Sequence, residues 1–414
     1  MPLEPIHRPV AGAGEVGSSF SATHFVNAVI ALVFAASAPV AIILGVGVKG
    51  GLSESDLASW IFAAFALNGV LTIVVSLLYR MPLAFFWTIS GTVLVGPALA
   101  HLSFAEVIGA FYATGLLLLV LGLTGSVRWV MTHLPLPIIM AMVAGVFLQF
   151  GLDWIDAFGN DIWIALPMTA AFFLLSAFPV LARRMPPMIG VLVVGIVALA
   201  LMGRAPSPSV DWADGAGAWL AMPNVYTPVF SVRAMIELVV PLAVTVLAAQ
   251  NAQGIAILQS SGYKPPVNSI TTSCGLVSLV TAGFGCVSTC LTGPSNAILV
   301  SGGERGGQYT AAIALGVLAI VFGLLSPLFT DLMLATPPAF IATLAGLALL
   351  RVLQSAFQVS FQGRFTLGAL VTFLVTLADH PIYNIGAPFW GLLFGFLASW
   401  LLERHDFSAR DRGG

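Results

Sequence analysis

Two stretches decide the fold: PLAFFWTISGTVLVGPALAH at residues 82–101 and GCVSTCLTGPSNAILVSG at residues 285–302. Each opens on a run suited to extended backbone, Phe85-Phe86-Trp87-Thr88-Ile89 in the first, and closes on a short apolar helix. At the junctions stand Ser90-Gly91-Thr92 and Thr292-Gly293-Pro294-Ser295. These are helix-starting residues, because a Ser or Thr hydroxyl caps free N–H groups and proline suits the first turn. A helix that begins at mid-membrane leaves unpaired N–H donors and a partial positive charge there. Such backbone is tolerated only against protein or a wet cavity. Two such ends facing one another make a receptor for an anion without a buried Arg or Lys. A Gly/Pro kink packed on its neighbours is the plainer alternative, and it does not account for two breaks in corresponding places.

Composition puts both stretches in a membrane. Of 414 residues, 59% are hydrophobic and 8% charged, with a mean hydropathy of +1.02, whereas soluble domains are about a quarter charged. The apolar residues come in blocks of spanning length, near 25–47, 57–79, 83–101, 104–124, 134–152, 162–182 and 187–203, then 234–258, 268–284, 287–301, 309–330, 332–350, 365–379 and 385–402. A net charge of -2 without a basic run gives no sign of a nucleic-acid partner. Cys274, Cys286 and Cys290 lack metal-ligand spacing and read as small packing residues. Residues 1–22 are polar and lack the apolar centre of a signal peptide.

Charge placement tests the count of spans. With the N-terminus inside, the cytoplasmic segments hold Arg8, Arg80, Arg128, Arg183, Arg184, Lys264, Arg305, Arg351, Arg364, Arg404, Arg410 and Arg412. Only Lys49, Arg204 and Arg233 remain outside, of fifteen basic residues in all. One missed span would scramble that division. The expected architecture is therefore an all-α polytopic membrane protein of about fourteen segments, both termini cytoplasmic. Pro137, Ala141, Ala144, Gly145 and Leu148 match Pro338, Ala342, Ala345, Gly346 and Leu349 at a constant spacing, and Ser90-Gly91 falls on Thr292-Gly293 at nearly the same one. Seven is odd, so a second copy enters the membrane from the opposite side, as a 7+7 inverted repeat with spans 3 and 10 broken.

Candidate binding residues cluster at this depth. Gln250, Asn251 and Gln253 place three amides within four residues of the eighth span, where they either line a substrate path or join helices by hydrogen bonds. Ser37 and Pro39 disturb the first span at similar depth. With Ser90, Gly91, Thr92, Thr292, Gly293, Ser295 and Asn296 they complete the expected substrate site. Phe34, Phe85, Phe86 and Trp87 could wall an aromatic ring or simply pack. Glu237 is the deepest carboxylate and the one candidate for proton coupling. An ion pair with Arg233, four residues before it, is the plainer reading. Asp331, Asp379, His380, His101 and Glu106 fall at span ends or in loops, and no ionisable group is placed clearly at mid-membrane.

The stretch AAQNAQGIAILQSSGYKPPVNS at 248–269, with FIATLAGLALL at 340–350 and TFLVTLADHPIYNIGAPFWGLLFG at 372–395, resembles the benzoate/proton symporter family over most of residues 23–403. Gln250-Asn251, Gly254, Gly262-Tyr263 and Pro265-Pro266 are the most specific part. The resemblance implies the fold of uracil permeases and sulfate/bicarbonate transporters. It implies a moving core of residues 23–124 and 233–330 and a gate or scaffold of 125–203 and 331–403. The remainder is a cytoplasmic tail at 1–22, an extracytoplasmic linker at 204–232 and a second tail at 404–414. One departure bears on the substrate. Ser288-Thr289-Cys290-Leu291-Thr292-Gly293-Pro294-Ser295-Asn296 stands where the benzoate branch is rich in Asn, Leu, Ala and Ile after a Gly-Gly pair, so another small anion or a nucleobase-like solute stays open.

The reading is a secondary active transporter of the inner membrane, taking benzoate or a similar aromatic carboxylate with a proton by alternating access. It needs no cofactor or metal, has a small anionic solute, a proton and the bilayer as partners, and leaves room for a homodimer. An anion channel could use the same helix ends but needs a continuous pore. An intramembrane enzyme needs a nucleophile with its base or a metal cluster, and His7, His24, His101, His133, His380 and His405 all fall at span ends or in tails. No GK[ST] phosphate loop appears.

Overall fold

The computed structural model describes residues 3–6, 12–133, 135–178, 185–204, 219–383 and 385–410. Arg8, His7, Arg183, Arg184, Arg412 and residues 205–218 of the linker lie outside them. Among the described residues, seven helices are long and apolar enough to cross a membrane, and six shorter apolar helices accompany them.

The first crossing is two helices, α1 (Ala22–Ala36) and α2 (Ala38–Lys49), parted at Ser37, whose ψ of -94° is not helical. Pro39 sits in the first turn of α2, where its missing N–H costs nothing. Next comes α3 (Glu54–Tyr79), started by a Ser53/Asp56 capping box and widened by a π-turn at Ala63–Leu67. The third crossing is β1 (Phe85–Trp87) followed by α4 (Ile89–Leu99). Then follow α5 (Phe104–Thr124), α6 (Leu136–Asn160), α7 (Ile162–Ala177) and α8 (Pro187–Leu201). Past the linker runs α9 (Val232–Ser260), with π-segments at Met235–Val239 and Thr245–Asn251. The chain continues through α10 (Val267–Ala282), β2 (Thr289–Leu291), α11 (Gly293–Leu299), α12 (Gln308–Leu324) and α13 (Ser326–Leu334). It ends with α14 (Pro338–Phe361), α15 (Thr366–Ala378) and α16 (Ala387–Leu402).

Helices α5 and α10, and α12 with α1 and α3, pack into one group around the two broken crossings. A second group is built on α6 and α14, with α7, α8, α15 and α16 around them. The two strands meet between the first-group helices. β1 pairs antiparallel with β2, Phe85 opposite Leu291, Phe86 opposite Cys290 and Trp87 opposite Thr289. The pairing solves a solvation problem, since extended backbone at membrane depth must find its hydrogen bonds within the protein. All six strand residues are buried. Phe85, Phe86 and Trp87 are therefore core rather than a ligand wall: Phe65 packs against both Phe86 and Trp87, at ring-centroid distances of 5.4 and 5.1 Å. The three cysteines are buried and free.

One boundary differs from the sequence expectation in a way that matters. The expected span 332–350 is instead α14, running on to Phe361, and Arg351 stands within it near the midpoint of 24 residues rather than in a cytoplasmic loop. A charge ends a span only if it would otherwise meet hydrocarbon. Here it meets a cavity.

Candidate functional site

The broken crossings are held by side chains acting as backbone partners. Asn296 Oδ1 accepts from the Ala84 N–H at 3.2 Å while its Nδ2 donates back to the Ala84 carbonyl at 3.2 Å. The Thr292 N–H donates to that same carbonyl at 3.0 Å. Asn251 Oδ1 accepts from the Leu291 N–H at 2.7 Å. Thr72 and Phe85, and Thr289 and Asn68, are tied likewise, Thr289 Oγ1 donating to Asn68 Oδ1 at 2.8 Å. Asn68 and Thr72 were not singled out from sequence, and Thr289, quoted with the segment that bears on the substrate, is bonded to Asn68. Isolated polar residues in apolar helices carry no pattern until their partners are known.

At the helix starts, Thr88 rather than Ser90 is the cap of α4. Its Oγ1 accepts from the Gly91 N–H at 3.1 Å, and the Thr92 hydroxyl turns back to the Thr88 carbonyl at 3.0 Å. Thr292 occupies the matching place before α11 but caps nothing, and its buried hydroxyl has no partner among the described residues. Ser295 is buried in the first turn of α11. The Ser37 hydroxyl donates to the Phe34 carbonyl at 3.0 Å, and Pro39 is buried beside it.

Not all candidates reach open space. Ser90, Gln250, Gln253 and Pro294 line a cavity of about 710 Å³, together with Phe34, Met140, Phe172 and Arg351. Gln250 reaches the first broken crossing, its Nε2 lying 3.5 Å from Ser90 Oγ. Within the π-segment Thr245–Asn251 the amides divide: Ala248, Ala249 and Gln250 line the cavity, while Asn251 turns to the strands. Such insertions are common at functional sites, because they re-aim one turn without ending the helix. Gln253 lies over the start of α11, where a Cβ on Gly293 would fall 2.5 Å from its Cδ. Gly91, Thr92, Asn251, Thr292, Gly293, Ser295, Asn296, Ser37 and Pro39 are not among the lining residues. Asn251 and Asn296 instead hold the backbone of the broken crossings.

Arg351 is the residue that sequence reasoning misplaced. The expected receptor contained no Arg or Lys, yet a guanidinium faces this cavity from α14. The signal available was the continuity of the apolar pattern past it, Val352, Leu353, Ala356 and Phe357 in a 3.6-residue rhythm.

Away from the cavity, three ion-pair contacts gather where α2 ends and α6 is completed. Lys49 Nζ lies 2.6 Å from Asp153, joining α2 to α6, and Arg204 lies 2.6 Å from Asp161. Glu237, only 4% exposed, pairs with His101 at 2.9 Å and not with Arg233 as the plainer reading held. Its carboxylate also sits over Gly386, at the start of α16. Just past α15, burial raises the Asp379 carboxyl above its ordinary range, against the opposing pull of His101 and His380. Among the described residues no cluster of three or more His, Cys, Asp or Glu could hold a metal.

Comparison with known proteins fits this architecture. The profile of the benzoate membrane transport protein family (BenE) matches residues 18–401. The chain is 30% identical over 370 residues to the inner membrane protein YdcO of Escherichia coli K12, spanning 88% of this chain and 92% of that one. It is 28% identical over 392 residues to a benzoate membrane transport protein of Acinetobacter baylyi, spanning 93% and 95% respectively. Among solved structures it resembles the transmembrane domain of the cyanobacterial bicarbonate transporter BicA, with a TM-score of 0.60 at 16% identity, covering 91% of this chain and 97% of that one. It also resembles the murine anion transporter Slc26a9 in its inward-facing state, with a TM-score of 0.64 at 11% identity, covering 97% and 73%. A paired-strand, broken-helix membrane fold and a family match over nearly the whole chain lead to one assignment: this protein is a membrane transporter belonging to the BenE family.

Proposed function

We propose that the protein is a secondary active transporter of the inner membrane that carries benzoate or a similar aromatic carboxylate together with a proton. The observation that carries this reading is the cavity in which Ser90, Gln250 and Pro294 converge from the two broken crossings and the intervening helix. Its lining is mostly apolar, with Phe34 and Phe172 to receive a ring and a few polar groups to fix an orientation, the usual build of a small-ligand site. The start of α4 adds N–H donors on the polar side.

Alternating access follows from the grouping of the helices. The first group is the core, residues 23–124 and 233–330, and the second is the gate, 125–203 and 331–403, the two halves forming a seven-plus-seven inverted repeat. The cavity is lined from both groups, so displacement of one against the other opens and closes it. Lys49–Asp153 joins the groups at the far end and is a contact that opening toward that end has to break. Glu237 carries the coupling proton. It is buried beside His101 of the core and Gly386 of the gate, so it stands where the two groups meet.

The test is uptake of radiolabelled benzoate by proteoliposomes with and without an inward proton gradient. Gln250→Leu removes the cavity-lining amide beside Ser90 and is expected to lower uptake at least tenfold while membrane insertion is unchanged. Undiminished uptake by that variant refutes the site. Glu237→Gln is expected to keep benzoate exchange across the membrane but to lose accumulation driven by the pH gradient. Gradient-driven accumulation at the unaltered level rules Glu237 out as the proton carrier.

A further inference from the structure

We infer that Arg351 is the fixed counter-charge for the substrate's carboxylate, held on the gate side of the cavity opposite the amides and helix start of the core. The inference rests on the proposed substrate site and goes beyond it, because it assigns the anion selectivity to a single residue on the opposite wall.

Three observations converge. Arg351 lies near the midpoint of α14, a helix apolar and long enough to cross the membrane, where an ionisable side chain is costly unless it serves a polar partner. The residue is exposed, belongs to the cavity lining and has no ion-pair partner among the described residues. Among the described residues that line the cavity, it is also the one ionisable group. The cavity therefore carries a net positive charge that nothing in its walls neutralises. A guanidinium does not shed its proton in a protein, so the imbalance persists at every physiological pH, and an incoming carboxylate corrects it. The planar fork of the guanidinium matches a carboxylate with two parallel N–H···O bonds, and a lysine point charge does not.

The placement has a consequence for the transport cycle. Ser90 and Gln250 travel with the core while Arg351 stays with the gate, so a bound carboxylate touches both bodies in one state only. Moving the core away withdraws the substrate from its counter-charge and weakens its hold as the site reaches the other face. An uncharged analogue lacks this contact throughout.

The experiment compares benzoate with benzamide, its neutral isostere, on purified wild-type protein and on Arg351→Gln, Arg351→Lys and Gln250→Leu, by equilibrium binding in detergent and uptake in proteoliposomes. Arg351→Gln is expected to raise the benzoate Kd and KM about tenfold, in line with losing a hydrogen-bonded contact to a charged group. Its weak benzamide affinity stays unchanged, so preference for the anion collapses. Arg351→Lys is expected to fall between, and its retained charge together with an unaltered melting temperature separates loss of charge from loss of fold. Wild-type benzoate affinity in Arg351→Gln overturns the assignment. Equal losses for benzoate and benzamide do so too, because they mark a structural role. Normal binding by Gln250→Leu alongside weakened Arg351→Gln removes the Ser90–Gln250 site instead and leaves the arginine standing. A wild-type protein that binds no benzoate ends both readings.

Discussion

The two broken crossings share a plan and differ in one hydroxyl. In each, a three-residue strand gives way to a helix through a threonine, Thr88 in one and Thr292 in the other. Thr88 closes its own helix start, taking the Gly91 N–H and standing 3.5 Å from Thr245. Thr292 leaves its hydroxyl buried and unpartnered, and the second crossing is instead fixed from below by Asn296, which grips Ala84 of the first. The first crossing is locally complete. The second depends on tertiary contacts. Where a local motif holds the backbone, the neighbouring residues are bound by it. Where distant side chains hold the backbone, the cap position is free to take another partner.

The largest effect expected from breaking this arrangement is at Asn296. Asn296→Ala leaves the Ala84 N–H with no acceptor in a buried setting and removes a donor from the Ala84 carbonyl. An orphaned buried backbone group costs about 1–3 kcal/mol, so the variant is expected to melt several degrees lower in detergent. Because the same amide aligns both crossings, uptake should fall with stability. A variant with the parental melting temperature would mean that the strand pair holds without this clamp.

How far the sequence reached follows the same division. The strand-to-helix breaks were legible because their cues are local: β-tolerant residues, then Ser, Thr, Gly and Pro at the junction. The interruption of the first crossing was marked by Ser37-Ala38-Pro39, and the structure parts α1 from α2 there. Gln250 and Gln253 were legible as amides too costly to face lipid, and both reach the cavity. The division of labour between Gln250 and Asn251 was not legible, because Asn251 is claimed by the Leu291 N–H, forty residues away and adjacent only after folding. Nor was the pairing of Glu237 with His101, which are far apart in sequence and nearest only after folding. Arg351 shows the converse error. The rule that charges bound spans is a statement about lipid, and it fails where a helix turns one face to a cavity.

The smallest effects give the sharpest test of the comparison, since they set one isosteric change against itself at two equivalent places. Thr88→Val removes the cap of α4, and loss of an N-cap hydroxyl costs about 1 kcal/mol. Thr292→Val removes a buried hydroxyl that satisfies nothing, and an apolar group of the same shape in that place is neutral or slightly stabilising. Thermal melts of the purified variants should thus move in opposite directions, or one down and the other not at all. Uptake discriminates further. If the Thr292 hydroxyl waits for a ligand, Thr292→Val loses transport while keeping its melting temperature, a separation that a packing residue does not produce. A fall in melting temperature matching that of Thr88→Val would show that the hydroxyl is a cap like its counterpart, and the asymmetry between the two crossings would vanish.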